Sequence, residues 1–162
     1  MLDLNFADTL DVDLPAKLTD ELSYEDLSDS QNQCISVQYN QIDLGKTDYG
    51  FDQEFEGNEA NLYFKRMQEF AEQTLNNVRE NAGYRLHFYR TDVRGNIKKI
   101  FDSIDPKISK ANPLIFHFAL DPNNHNQADR AKHIRNPRVY FMVGRNGMIH
   151  ILFFDPYHEI NP

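Results

Sequence analysis

The last residues of the sequence carry side chains suited to acid–base chemistry. The segment DPYHEINP, residues 155–162, contains a phenol at Tyr157, an imidazole at His158 and a carboxylate at Glu159. An imidazole exchanges protons near neutral pH, because its unperturbed pKa lies there. His150 lies shortly before this segment. We therefore expect a proton-transfer site at this end of the chain, with four candidate residues: His150, Asp155, His158 and Glu159.

The same segment contains potential metal ligands at Asp155, His158 and Glu159. Their close spacing matches no specific zinc or two-metal pattern. Asp155-Pro156 is instead typical of a turn that follows a strand. The sequence therefore predicts neither a metal site nor a cofactor.

A hairpin is predicted immediately before this segment. Two apolar sets alternate along its strands, Val139, Phe141 and Val143 on one strand and Ile149, Ile151 and Phe153 on the other. A two-residue Asn-Gly turn would place Val143 opposite His150 and mix the faces. We therefore predict a three-residue loop, 145–147, with Gly147 left-handed and Met142 paired with His150.

This register predicts where the basic and aromatic side chains lie. Side chains alternate along a strand, so Arg138 should lie on the face opposite Val139. The same face should collect Arg85, His87, Tyr89, His117, Tyr140 and His150, and nearby loops should add Arg130, Lys132, His133, Arg135 and Arg145. Two interpretations remain open. The face either binds a polyanion through cations and stacking rings, or is an ordinary solvent face covered by long side-chain stems.

The remaining elements complete an α+β domain. The segment 58–82 has apolar residues at helical spacing, including Phe64, Met67, Ala71, Leu75 and Val78, and Asn58 is its candidate cap. Strands are expected at 35–40, 84–90, 113–120, 138–144 and 148–154, and a shorter helix near 92–104. We predict an antiparallel sheet of four to five strands, covered by one long helix and closed by the C-terminal hairpin.

Charge divides the 162-residue chain into two parts. Residues 1–60 contain 15 acidic and 2 basic side chains, a net charge of −13, whereas residues 61–162 carry +5 and all six histidines. We predict one domain over 31–162, preceded by an acidic leader at 1–30. The leader is either a solvated, flexible segment or an acidic arm that contacts a basic partner, of which the nearest is the protein's own basic half.

Two further features indicate where the protein works. The sequence has a single cysteine, Cys34, and its first residues do not resemble a signal peptide. Its apolar runs are far shorter than the roughly 20 residues that a membrane helix needs. We therefore expect a soluble protein of the reducing cytoplasm without membrane contact.

The order helix, strand, helix and three strands over residues 58–162, ending in a glycine hairpin and a His-containing tail, resembles the RelE and ParE family of bacterial toxins. The resemblance implies a ribonuclease site that uses no metal. In it Arg138 would stabilise the phosphate, and Tyr157 or His158 would transfer a proton. The predicted strand 35–40 and the acidic leader lie outside the part that this resemblance covers.

Two functions follow from these patterns. The first is a nucleic-acid-acting protein, such as a toxin or phage-defence ribonuclease, that engages RNA through its basic face and its C-terminal tail. The second is a non-catalytic binding or inhibitor module, whose acidic residues 1–60 engage a basic protein. Removal of residues 1–30 should abolish the second activity and leave or raise the first.

Overall fold

The computed structural model describes residues 32–40, 42–45, 47–52, 54–80, 89–91, 94–104, 106, 110, 113, 115–144 and 147–161. Its elements, in chain order, are β1 (Ser36–Gln38), α1 (Glu59–Ala71), α2 (Leu75–Glu80), β2 (Tyr89–Thr91), α3 (Gly95–Ile104), β3 (Ile115–Ala119), β4 (Arg138–Val143) and β5 (Met148–Asp155). The fold class is α+β, as the sequence predicts. The predicted acidic leader, Arg85, His87 and Arg145 lie outside the described residues.

The strands form one mixed sheet in the order β1-β5-β4-β3-β2. β2, β3, β4 and β5 pair antiparallel, but β1 runs parallel to β5 at the edge. The prediction of a purely antiparallel sheet is therefore wrong. The alternation of side chains along a strand does not reveal whether the strand pairs parallel or antiparallel. β1 and β5 are far apart in the sequence, so no local pattern predicts how they pair.

The C-terminal hairpin has the predicted register. Met142 pairs with His150, and the Gly144 N–H donates to the carbonyl oxygen of Met148 over 2.8 Å. Gly147 is left-handed, with φ of 70°. A Cβ atom at Gly147 would lie 2.6 Å from the Cys34 carbonyl oxygen. Glycine is thus required here both for the turn and for the close approach of the chain before β1.

A bulge shifts the alternation of side chains near the end of β5. Phe141 pairs with Ile151, whereas Tyr140 pairs with Phe153, so Leu152 is the extra residue on β5. Beyond it, Phe154 rather than Phe153 joins the apolar face of Ile149 and Ile151. The prediction that Phe153 shares this face is wrong, and Phe153 packs on the opposite side of the sheet.

The predicted helix 58–82 consists of two helices. α1 buries Tyr63 and Phe70 in place of the predicted Phe64 and Ala71, and Phe64 is 66% exposed. Met67 is buried as predicted, as are Leu75 and Val78 of α2. After the break, the Thr74 hydroxyl accepts the Asn77 N–H at 3.1 Å and caps α2. Asn58 occupies the N-cap position of α1, but its side chain makes no capping hydrogen bond.

Both faces of the sheet are covered. α1 and α2 pack on the face that presents Val139, Phe141 and Ile151, and Ile97, Ile100 and Phe101 of α3 belong to the apolar cluster on the other face. The prediction of a solvent-facing surface is therefore wrong for three of its members, His117, Arg138 and Tyr140, which are buried. β4 carries large apolar or aromatic residues on both faces, and such a strand is stable only between two layers.

Among the described residues, no helix combines the length and the apolar character that crossing a membrane requires.

Candidate functional site

The C-terminal tail is held by a buried carboxylate. Asp155 ends β5 and is fully buried, and its oxygens accept the N–H groups of Tyr157 at 3.2 Å and Ile160 at 2.8 Å. Burial raises the pKa of Asp155, whereas these backbone hydrogen bonds act in the opposite direction. The predicted Asp-Pro turn is present, and it folds the tail back beside the start of β4.

Successive side chains of this turn belong to different groups of residues. His158 has φ of 52°, and its ring centroid lies 6.1 Å from that of His117 on β3. Tyr157, which precedes it, instead hydrogen-bonds to His133 at 2.9 Å. Glu159, which follows, forms an ion pair with Arg130. The turn therefore connects an inner and an outer group of polar side chains.

The inner cluster consists of His117, Arg138, Tyr140 and His158. His117 is 3% exposed, Tyr140 is 0% exposed and Arg138 is 9% exposed. The rings of His117 and Tyr140 have centroids 5.0 Å apart. Arg138 lies close enough to His158 to influence its pKa. Two of the predicted catalytic residues, Arg138 and His158, are thus brought into one polar cluster.

Arg138 is buried, contrary to the prediction that solvent surrounds it. Its Nη1 donates to the side-chain oxygen of Asn136 at 2.6 Å and to the carbonyl oxygens of Asn136 and Pro137, each at 3.2 Å. Burial lowers the pKa of the guanidinium, and the nearby Tyr140 and Asp155 oppose this change. These three hydrogen bonds use only Nη1, and among the described residues no hydrogen bond from Nε or Nη2 is present.

His158 is neutral at neutral pH. Burial and the adjacent Arg138 cation lower its pKa to about 4, although a hydrogen bond with the Asn161 backbone opposes this change. The expectation of a near-neutral pKa is therefore wrong. A neutral imidazole in this position can accept a proton, whereas it is too weak an acid to donate one at pH 7.

The Tyr140 hydroxyl group lacks a well-aligned partner in this cluster. It is buried and has no partner of full hydrogen-bond geometry among the described residues, although a weaker hydrogen bond with the Asn161 backbone acts to lower its pKa. Burial and the Asp155 carboxylate raise the pKa of this phenol. A buried hydroxyl without a well-aligned partner costs free energy, up to about 3 kcal/mol, so a bound molecule that accepts its hydrogen bond would be stabilised.

The outer network surrounds Tyr157. It contains Glu56, Glu59, Arg130, His133, Arg135, Tyr157 and Glu159. His133 joins two of its members, with Nδ1 2.9 Å from the Tyr157 hydroxyl and Nε2 2.9 Å from Glu56 Oε2. The guanidinium carbons of Arg130 and Arg135 lie 4.7 and 5.6 Å from the centroid of the Tyr157 ring. This arrangement holds the phenol between two cations and an imidazole.

The loop cations predicted to bind nucleic acid are paired with carboxylates. Arg130 forms a two-pronged pair with Glu159, at 2.9 and 2.7 Å. Arg135 bonds to Glu59 and Glu56 at 2.6 to 2.8 Å, and Lys132 pairs with Asp129 at 2.9 Å. The outer network contains two guanidinium groups and three carboxylates, so each of its arginine cations has a carboxylate partner.

This pairing also bears on the charge division of the chain. Glu56 and Glu59 belong to the acidic first part, and Arg135 and His133 to the basic second part. These two carboxylates of the acidic first part therefore pair with the basic second part, whereas the predicted contact of the leader itself lies outside the described residues. The burial of Arg135 strengthens the attraction, because water screens a buried ion pair less.

His150 does not join either group. Its Nδ1 lies 3.0 Å from the side-chain oxygen of Asn40, and it pairs with Met142 near the hairpin loop, at the other end of β5 from Asp155. Of the five predicted catalytic residues, Arg138 and His158 share the inner cluster, Tyr157 and Glu159 belong to the outer network, and His150 is remote from both.

The contact that Glu56 makes could not be predicted from the sequence. It lies 77 residues before His133, with which it pairs, and no local pattern predicts such a contact. The sequence predicted only the sheet face on which Tyr140 lies. The burial of its hydroxyl group could not be predicted, because it depends on the α3 layer that covers this face. Among the described residues, no group of three or more His, Cys, Asp or Glu side chains is arranged to hold a metal ion.

Comparisons with protein-family models, curated proteins and solved structures returned no match.

Proposed function

We propose that this protein acts on RNA, and that its inner cluster binds and cleaves a phosphodiester. The observation that supports this proposal is the close association of a buried guanidinium, a neutral imidazole and a phenol hydroxyl without a well-aligned partner, at Arg138, His158 and Tyr140. These groups would respectively bind the phosphate, accept a proton and donate a hydrogen bond to a phosphate oxygen. The proposal is consistent with the resemblance to the RelE and ParE toxins and with a cytoplasmic location, both of which stay predictions.

Arg138 would bind the phosphate. Its Nε and Nη2 lie outside the three hydrogen bonds that orient the side chain. A guanidinium presents these donors in a planar fork that matches two phosphate oxygens. Because Arg138 is 9% exposed, water competes weakly for the anion, which strengthens the interaction.

His158 would act as the general base. Its pKa of about 4 keeps the imidazole deprotonated at pH 7. The 2′-hydroxyl group of RNA would transfer its proton to this ring and attack the adjacent phosphorus. The bond from phosphorus to the 5′-oxygen would then break, the leaving oxygen would take a proton from solvent, and the imidazolium would return its proton to solvent. Tyr140 would donate a hydrogen bond to a phosphate oxygen as charge develops there. DNA lacks the attacking hydroxyl, so RNA is the substrate that this chemistry requires.

Purified variants test this function through RNA cleavage. Asparagine tolerates the left-handed backbone of residue 158, so His158→Asn removes the base with little strain and should lower the cleavage rate by about 10²- to 10⁴-fold. His125→Asn, at an exposed loop position, is the matched control and should leave the rate unchanged. Absence of cleavage by the wild-type protein, with intact folding shown by circular dichroism, would overturn the catalytic proposal.

Arg138 requires a gentler change because it is buried. Arg138→Lys keeps the positive charge but loses the planar fork, and should reduce RNA affinity and cleavage together. His158→Asn should reduce cleavage with little change in affinity. Equal effects of the two variants on affinity would argue against the separate roles assigned to them.

The alternative function, a module that binds a basic protein through residues 1–60, is less well supported. Glu56 and Glu59 are the carboxylates of this part with described basic partners, and both already pair within the chain. Most of the acidic residues lie outside the described part. Binding of a basic protein that survives the loss of all RNA cleavage would favour this alternative.

A further inference from the structure

Three side chains of the outer network form a linear chain of hydrogen bonds. Glu56 precedes α1, His133 lies in the loop between β3 and β4, and Tyr157 lies in the tail turn. The His133 ring is 2.9 Å from both Glu56 Oε2 and the Tyr157 hydroxyl oxygen. Because the three come from separate segments, the fold itself must bring them together.

The chemistry of the partners assigns the protons in this chain. An ionised Glu56 carboxylate only accepts hydrogen bonds, so His133 Nε2 carries the proton that it receives. Nδ1 of a neutral His133 is then an acceptor, and the Tyr157 hydroxyl donates to it. This is the arrangement of carboxylate, imidazole and hydroxyl that activates a nucleophile in covalent catalysis, with a phenol as the hydroxyl.

His133 is held in an unfavourable backbone conformation. Its φ is 56°, and the loop is closed by paired backbone hydrogen bonds between Asp129 and Ile134, each 2.9 Å. The His133 side chain is 67% exposed, so packing does not compensate for the strain. Such strain in a histidine that orients a phenol is typical of functional loops.

Two guanidinium groups flank the ring of Tyr157, Arg130 at 4.7 Å and Arg135 at 5.6 Å from its centroid. Each is already paired with carboxylates, so the net charge of the outer network does not attract an anion. The two cations would stabilise the negative charge that develops on the phenolic and phosphate oxygens as the bond to phosphorus forms.

We propose that Tyr157 is a nucleophile that forms a covalent ester with a phosphodiester. Its Oη would bond to phosphorus as the bond between phosphorus and the leaving oxygen breaks. The phenolic proton would pass to His133 Nδ1, and Glu56 would stabilise the resulting imidazolium. The leaving alcohol would take a proton from solvent, so atoms and charge balance without a further reactant. This inference goes beyond the RNA cleavage proposed above and does not depend on it.

The test uses bis(p-nitrophenyl) phosphate and the full-length protein. Its leaving group, p-nitrophenolate, needs no proton and absorbs visible light. The wild-type protein should release one equivalent in an initial burst and gain the mass of one p-nitrophenyl phosphoryl group, located on Tyr157 by peptide mass spectrometry. Tyr157→Phe, which keeps the ring between the two arginines, should abolish the burst and the adduct.

Two further variants test the relay. His133→Asn tolerates the left-handed backbone and should slow the burst by at least about 10²-fold, whereas Glu56→Gln should slow it less. Gln127→Ala, at an exposed position of the same loop, is the matched control and should retain the wild-type rate.

Several outcomes would overturn the inference: no reaction of the wild-type protein, an adduct on another residue, release of p-nitrophenolate without an adduct, or a full burst from folded Tyr157→Phe. RNA cleavage without an adduct would support the function proposed for the inner cluster and reject the nucleophile. An adduct without RNA cleavage would support Tyr157 as the nucleophile and reject the function proposed for the inner cluster.

Discussion

Tyr157 and His158 are adjacent in the chain, yet their side chains join different groups of residues. The Tyr157 hydroxyl bonds to His133 at 2.9 Å, whereas the His158 ring lies 6.1 Å from that of His117. The buried Asp155 carboxylate produces this division, because it binds the N–H groups of Tyr157 and Ile160 and so shapes the turn between them. His158, which lies in the tail, and His133, which contacts it, both have left-handed backbones.

Protonation of His158 should destabilise the fold at mildly acidic pH. Its pKa is about 4 in the folded protein and close to 6.5 when unfolded, so the unfolded state binds the proton more tightly. Stability is therefore complete above pH 6.5 and is lost as pH falls from 6.5 to 4. Because His158 is only half-buried, we expect a discounted loss of about 1 kcal/mol at pH 5.

Urea unfolding of the wild type and of His158→Asn at pH 7.5 and pH 5 measures this loss. Carboxylates titrate in both proteins, so the difference between the two pH dependences isolates His158. The variant should lose about 1 kcal/mol less than the wild type. Parallel curves for the two proteins would show that His158 has an ordinary pKa in the folded state.

Gly147 should be the least replaceable glycine in the hairpin region. Gly147→Ala would introduce a Cβ atom 2.6 Å from the Cys34 carbonyl oxygen at a φ of 70°. Gly57 is the matched control, because it also has positive φ, 54°, but nothing lies within 4 Å of its added Cβ. We expect Gly147→Ala to lower the free energy of unfolding by about 2–4 kcal/mol and Gly57→Ala by about 1 kcal/mol. Equal losses in urea unfolding would contradict the proposed clash.

The hairpin was predictable because all the information that defines it is local. Two alternating apolar sets and a glycine at the third loop position leave one register that keeps Phe141 and Ile151 on the same face. The bulge that moves Phe153 to the other face was not predictable in this way. The bulge adds one residue to β5 within the apolar run 151–154. Because every residue of this run is apolar, the hydrophobic pattern does not reveal it.

The layers over the sheet were only partly predictable. The aromatic pair Tyr63-Phe64 permits two apolar stripes on α1, and the contact with the sheet selects Tyr63. The break before α2 accompanies a β-bridge between Cys34 and Thr74, which no local pattern predicts. Tyr140 was expected on an open face of β4, whereas α3 covers that face and supplies a second layer.

The sequence identified the types of residue at the site, but it did not predict their burial or their ion-pair partners. Arg138 and His158 are close together, but burial changes the proton affinity of both. The ion pairs of Arg135 with Glu56 and Glu59 join residues 76 to 79 positions apart. Contacts of this kind depend on the completed fold, so sequence spacing cannot reveal that the loop cations are already neutralised.

Glu59 should contribute more to stability than a surface ion-pair partner does. The side chains of Glu59 and Arg135 are each 12% exposed, so Glu59→Ala would leave a buried guanidinium without its main partner. We expect a loss of about 3 kcal/mol in the free energy of unfolding. Asp102→Ala, which removes an exposed pair with Lys98 on α3, is the control and should cost under about 1 kcal/mol. Similar losses from both would show that Arg135 is not effectively buried.

The acidic residues should weaken binding of RNA by the full chain. Residues 1–30 contain 9 acidic side chains and 1 basic one, and their negative potential opposes the approach of a polyanion. A chain that lacks residues 1–30 should therefore bind RNA more tightly than the full chain at low salt. The difference should shrink as salt increases, because ions screen charges separated by more than about 8–10 Å near physiological ionic strength.

The measurement is a comparison of dissociation constants for one RNA hairpin, at about 20 mM and 200 mM salt, where screening differs strongly. A full-length variant in which acidic residues of 1–30 are changed to Asn or Gln separates charge from chain length, and it should behave like the truncated chain. Equal affinities of all three proteins at low salt would show that this segment does not influence RNA binding. Weaker binding by the truncated chain would mean that residues 1–30 contact the RNA or support the fold, which circular dichroism of the same samples distinguishes.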